Sequence, residues 1–73
     1  MINDSIVIDN EYDEDGNEIE SLFVVELSGK PNDVFSTSHE YFDSDVDAHD
    51  FAEQVSEETG VKITWNCYRP AWA

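Results

Sequence analysis

The strongest constraint on the fold is a change in the spacing of apolar residues after residue 42. In residues 43–60, DSDVDAHDFAEQVSEETG, the less polar side chains recur at intervals of three and four positions. This spacing places them on one face of an α-helix. The residues predicted to form that face are Ala48, Phe51, Ala52, Val55 and Thr59.

The flanks of this segment carry signals for the ends of a helix. Ser44 is a favourable N-cap residue, and Asp47 follows three positions later, close to the pattern of a capping box. Gly60 is a favourable residue for a helix end, since it adopts positive φ at low cost. We therefore predict one helix between Ser44 and Gly60.

Shorter apolar periods outside the helix predict strands at residues 5–13, 19–29, 34–42 and 61–68. A turn at 14–18, where Gly16 and Asn17 tolerate positive φ, is expected to join the first two strands into a β-hairpin, and a second turn is expected at 30–33. Residues 61–68 alternate, with Val61, Ile63, Trp65 and Cys67 on one side. The order β-β-β-α-β predicts one α+β domain over residues 1–73. It would have a single antiparallel or mixed sheet with one helix packed on one face.

The charge of the chain is extreme for its 73 residues: it has 18 acidic and 3 basic side chains, giving a net charge of −15. Such a balance is typical of disordered chains. Here, however, 40% of residues are hydrophobic and their positions are periodic. We therefore expect a folded domain with a solvated acidic surface.

The same composition favours the cytoplasm and disfavours two kinds of partner. Cys67 is the only cysteine, so no disulfide can form within the chain. The N-terminus has no basic, apolar signal pattern, and the longest strongly apolar run is LFVV at 22–25, too short to cross a membrane. Nucleic acid and anionic lipid would both repel this surface.

The polar face of the predicted helix carries charge of one sign only. Asp50, Glu53 and Glu57 lie opposite the apolar face, and Asp47 and Glu58 lie on the flank of this acidic group. A solvated outer face explains the acidic first turn, which the helix dipole favours, but not an acidic last turn. Like-charge pairs at these spacings cost roughly 0.2–0.5 kcal/mol each. Repeated violation of a local rule points to function.

A second acidic row follows the first predicted strand. Asp9, Glu11 and Asp13 alternate with less acidic neighbours and are expected to share a face. Glu14, Asp15 and Glu18 extend the charge into the turn. The alternative interpretation is an edge strand that charge protects against aggregation.

Motifs for metal binding and catalysis are weak. A calcium loop centred on Gly16 fails because its twelfth position is Leu22 rather than Glu, so only weak, nonspecific divalent binding is expected. His39 and His49 have no second ligand at a zinc-like spacing and are interpreted as surface residues. No nucleophile motif, phosphate-binding loop or basic patch occurs. We predict no catalytic residues, no metal site and no cofactor.

Small size, extreme acidity, a lone cysteine and acidic rows on a helix and a strand resemble the DNA-mimic inhibitors of phages and mobile elements. This class includes anti-restriction proteins, anti-CRISPR proteins and uracil-DNA glycosylase inhibitors. Carboxylates on neighbouring helical turns lie about 5–6 Å apart, close to the separation of successive phosphates. The resemblance implies a partner that is a basic nucleic-acid-binding protein, contacted through the acidic rows.

Two other interpretations fit the sequence. The chain could be an ordinary domain of a salt-adapted organism, in which case acidity reflects habitat. It could also be a regulator that binds a protein surface through aromatic side chains such as Trp72 and through the hairpin. Aromatic rather than acidic hot spots would identify the regulator.

Overall fold

Among the residues that the structure describes, the architecture is a four-stranded mixed sheet with helices on one face, as the α+β prediction requires. The structure, a computed structural model, describes residues 4–67, apart from the side chain of residue 20. The strands and helices are β1 Ser5–Tyr12, β2 Glu18–Ser28, α1 Lys30–Phe35, β3 His39–Phe42, α2 Asp45–Thr59 and β4 Ile63–Trp65. Within this part of the chain the strand order is β3-β2-β1-β4, so α2 connects the two outermost of these four strands.

Three strand pairings join the four strands described within residues 4–67. β1 pairs antiparallel with β2, and β2 pairs antiparallel with β3. β4 pairs with β1 in the parallel direction. β3 and β4 therefore run in the same direction, and parallel strands need a long crossover connection, usually a helix. α2 provides this connection. The mixed sheet follows from this connection.

The turn between β1 and β2 confirms the predicted hairpin. Gly16 has φ of +84°, which glycine adopts without steric cost. The Asp13 carboxylate accepts hydrogen bonds from the backbone N–H groups of Asp15 and Asn17, both at 2.9 Å. Asp13 therefore organises the turn beyond the end of β1.

An irregularity interrupts the hairpin pairing next to this turn. Asn10 faces Phe23, but the next residue, Glu11, faces Ile19, so residues 20–22 of β2 have no partner across the ladder. Asn10 is only 5% exposed, and its amide donates to the carbonyls of Ile19 and Leu22, both at 3.4 Å. A buried side chain thus satisfies carbonyls near the break in the ladder.

The core lies between the sheet and α2. Its fully or almost fully buried side chains are Ile6, Ile8, Val25, Leu27, Ala48, Ala52 and Val55. Phe51 packs against them, and Thr59 is half-buried. The apolar face predicted from spacing is therefore the face that contacts the sheet.

The C-terminal end of α2 agrees with the prediction, whereas the N-terminal end does not. Gly60 has φ of +76° and donates its N–H to the Ser56 carbonyl at 2.7 Å, as expected for a helix end. Ser44 occupies the N-cap position, but its hydroxyl makes no capping hydrogen bond, so the predicted cap interaction is wrong. Asp45 instead accepts a hydrogen bond from the first-turn N–H of Val46 at 2.8 Å.

The predicted turn at 30–33 and strand at 34–42 need correction, since Lys30–Phe35 forms α1 and only His39–Phe42 forms β3. Pro31 lies in the first helical turn, where its missing N–H costs nothing, and it is buried. Phe35 packs edge-on against Phe51 of α2, with ring centroids 6.0 Å apart. Tertiary packing of Phe35 overrides the β-propensity of the segment.

The last predicted strand is shorter than expected. β4 covers Ile63–Trp65, and one further hydrogen bond joins the Asn66 N–H to the Ile8 carbonyl at 2.8 Å. Val61, Ile63, Trp65 and Cys67 pack against the core, as the alternation predicts. Residue 68 and Trp72 lie outside the described residues.

Candidate functional site

The acidic face of α2 is the largest regular arrangement of charge on a described element. We use this name for Asp47, Asp50, Glu53, Glu57 and Glu58, all of which are exposed. Ala48, Ala52 and Val55 on the opposite side are buried against the sheet, which fixes the orientation of the helix. α2 contains no lysine or arginine. The structure thus brings all five predicted helix residues onto one solvent-facing surface.

Spacing along α2 is set by helix geometry. A rise of about 1.5 Å per residue puts Asp50 and Glu57 roughly 10 Å apart along the axis, with Glu53 between them. Consecutive members of this row are neighbours at three or four residues, so their charges repel. The last turn also has no basic residue to complement the negative end of the helix dipole. The helix therefore maintains a charged row that its own stability does not favour.

Of the acidic row predicted on the first strand (the strand row: Asp9, Glu11 and Asp13), Asp9 and Glu11 lie on the side of the sheet away from α2. Asp13 does not share their face, because β1 ends at Tyr12 and Asp13 lies in the turn. Along β1, Ile6, Ile8 and Asn10 are buried on the helix side, whereas Asp9 and Glu11 are half-buried on the alternate positions. Side chains at alternate positions of a strand point to opposite faces of a sheet. The domain is 17 Å across its shortest dimension. A single flat partner surface cannot contact both rows.

Two of the strand-row residues have structural roles. Asp9 accepts hydrogen bonds at both carboxylate oxygens: from its neighbour Asn10 N–H at 2.8 Å, and from the Asn66 side-chain amide at 2.9 Å. Asp13 holds the hairpin turn, as described above. Glu11 is half-buried beside the break in the ladder.

The acids near β1 perturb two neighbouring groups. The charge of Asp9 raises the pKa of the Tyr12 hydroxyl, with smaller contributions from burial and from Glu18. Burial raises the pKa of the Cys67 thiol, and Asp9 adds to that effect. Both groups are therefore neutral near pH 7.

One cluster of possible metal ligands on α2 was not predicted from the sequence. His49, Asp50 and Glu53 place one potential ligand atom each within 4.8 Å of one another. The spacing of His49 and Glu53, four residues apart, was visible in the sequence. What the sequence did not show is that the His49 ring stacks on Trp65 of β4, with centroids 5.9 Å apart and an interplanar angle of 17°.

Comparison with family models, with curated proteins and with solved structures gives no match for this chain. Within residues 4–67, no helix has the length and apolar character needed to span a membrane. Fold and site together define a small α+β domain with an acidic helix exposed on one side.

Proposed function

We propose that this protein is an acidic inhibitor that occupies the nucleic-acid site of a basic nucleic-acid-binding protein. The observation that supports the proposal is the exposed acidic face of α2, which has regular spacing and no basic residue. Its carboxylates would meet lysine and arginine side chains that otherwise hold phosphates. Electrostatic steering would accelerate association.

The proposed partner is a restriction, CRISPR or DNA-repair factor in the cytoplasm, or in the host cytoplasm if a phage encodes the chain. Inhibition by occlusion needs neither catalysis nor a cofactor, and the charge of −15 opposes direct binding to nucleic acid or to anionic membranes. Because Asp9 and Glu11 of the strand row lie on the opposite face, we assign the contact to α2. Asp9 and Asp13 are then structural residues.

The first test is binding to a panel of nucleic-acid-binding enzymes, with and without a competing DNA duplex. Competitive occlusion predicts that DNA displaces the protein from its target and that the Kd increases with salt. Binding that excess DNA leaves unchanged would contradict the mechanism.

A matched pair of double variants then locates the contact. Glu53→Gln with Glu57→Gln neutralises the α2 row, whereas Glu11→Gln with Glu26→Gln removes the same charge from the opposite sheet face. A charge-assisted hydrogen bond contributes roughly 1.5–3 kcal/mol, so the α2 variant should bind at least about tenfold more weakly. The sheet-face variant should bind within about twofold of the parent. If both double variants lose the same affinity, α2 is not the contact surface.

The salt-adapted alternative is favoured by one observation, the presence of carboxylates on both faces of the domain. If acidity reflects habitat alone, no panel member should bind. Both double variants should then change the salt dependence of the melting temperature to the same extent.

A further inference from the structure

One side of α2 combines an imidazole with two carboxylates. His49 and Glu53 are four residues apart, and Asp50 and Glu53 are three apart, so the three side chains lie on adjacent turns. One nitrogen or oxygen atom from each lies within 4.8 Å of the other two. All three belong to a continuous helix, Asp45–Thr59, rather than to a loop. Backbone geometry therefore keeps the three groups close.

The imidazole is held in place from the side of the core. Its ring stacks on Trp65, which belongs to β4 and packs against the hydrophobic core. His49 is half-buried, whereas Asp50 and Glu53 are exposed. One ligand is thus oriented in advance and two are free to adjust, which lowers the cost of ordering on binding.

The donor set selects a class of ion. Imidazole nitrogen suits zinc, copper and nickel, whereas magnesium and calcium prefer an all-oxygen set. At zinc bond lengths, ligand atoms approach one another to ~3–3.5 Å, which rotation of the two carboxylate side chains can achieve. Histidine ligands commonly hydrogen-bond through the second ring nitrogen, so a further partner of His49 is compatible with ligation.

We propose that His49, Asp50 and Glu53 form a binding site for a divalent transition-metal ion of the zinc class. Three protein ligands would leave the remaining coordination positions to water. The surrounding negative charge increases the local concentration of any cation. The imidazole distinguishes this site from the diffuse acidic surface around it.

The test is a calorimetric titration of the full chain with ZnCl2 and, separately, with MgCl2, at neutral pH in about 0.15 M NaCl. We expect one zinc ion per chain, with Mg²⁺ at least tenfold weaker. His49→Gln should weaken zinc binding by about tenfold or more, since even partners of metal ligands contribute that much. His39→Gln, which removes the other histidine, and Glu58→Gln, which removes a charge from the same helix, should bind within about twofold of the parent.

His49→Gln also removes the stacking on Trp65, which can alter the fold around the site. Glu53→Gln therefore provides a second variant, at an exposed position. It should also weaken zinc binding by about tenfold while the circular dichroism spectrum stays unchanged. Equal affinity for zinc and magnesium, an unchanged affinity in both variants, or no measurable zinc binding would each overturn the proposal.

A regulatory consequence rests on the proposed function, because Asp50 and Glu53 belong to the acidic face of α2. Zinc bound there would neutralise part of the row and weaken binding to the basic partner in the parent but not in His49→Gln. The calorimetric titration needs no partner. If zinc binds but no partner is found, the result counts against the proposed function. If zinc does not bind, the result counts against the metal site.

Discussion

The two ends of α2 carry the same charge in opposite electrostatic surroundings, and matched variants can measure the difference. Asp45 and Asp47 lie in the first turn, and Glu57 and Glu58 lie at the other end. The helix dipole places partial positive charge at the N-terminus and partial negative charge at the C-terminus. Neutralising the first pair with Asn should lower stability, whereas neutralising the second pair with Gln should raise it.

The expected magnitudes follow from the positions of these residues. An exposed charge in a terminal turn contributes about 0.3–1 kcal/mol. Glu57→Gln also removes repulsion from Glu53, roughly 0.2–0.5 kcal/mol. The last-turn double variant should therefore gain about 1 kcal/mol. The first-turn variant should lose about 0.5 kcal/mol, because relief of the Asp47–Asp50 repulsion offsets part of the lost dipole interaction.

The measurement is thermal and urea unfolding followed by circular dichroism. A difference of about 1.5 kcal/mol between the variants corresponds to roughly 6–12 °C in Tm for a domain of this size. Both variants raise the net charge by two, so relief of overall repulsion contributes equally to each. The difference should shrink in salt as the dipole is screened. Equal stabilisation of both variants would show that overall repulsion, rather than local helix electrostatics, determines the result.

Further predictions concern the rest of the domain. Asn10→Leu should lower the free energy of unfolding by about 1–3 kcal/mol in urea denaturation, because the carbonyls of Ile19 and Leu22 lose a donor. Melting temperature should rise from low to moderate salt, since screening weakens self-repulsion of a chain with net charge −15; a flat or falling curve would contradict this. Alkylation of Cys67 should require higher pH in the folded than in the urea-unfolded protein, because burial raises the pKa of the folded thiol. The unfolded thiol then loses its proton first, so stability should decrease as pH rises from the ordinary thiol pKa towards the folded one.

Periodicity was sufficient to predict α2 and the hairpin. The apolar face of α2 is set by three- and four-residue spacing, and Ala48, Ala52 and Val55 are buried as that spacing requires. The hairpin followed from β-branched residues around a turn with Gly16. In both cases local propensity and burial favour the same structure.

Periodicity failed where long-range packing decides the conformation. Val34 and Phe35 favour strands, yet they end α1, since Phe35 completes the packing around Phe51. The break in the ladder at Asn10 leaves no signal in spacing, because it depends on how two strands pair. The stacking of His49 on Trp65 likewise joins residues from different elements.

The placement of the two acidic rows on opposite sides of the sheet follows from the sequence pattern. Ile6 and Ile8 had to face the helix, so Asp9 and Glu11, at alternate positions of the same strand, had to face away from it. We therefore confine the proposed contact to α2.

This confinement limits the length of nucleic acid that the proposed contact can imitate. Asp47 and Glu58 are eleven residues apart, so the acidic face extends roughly 16 Å along the helix axis. Each phosphate of one strand advances about 3.4 Å along duplex DNA, and the row therefore corresponds to about five base pairs. In a partner that binds DNA in a short, deep basic groove, the acidic face of α2 would block the whole DNA-binding site. A partner with a longer footprint would keep free phosphate contacts beyond the ends of α2, and DNA would compete more effectively against the inhibitor there.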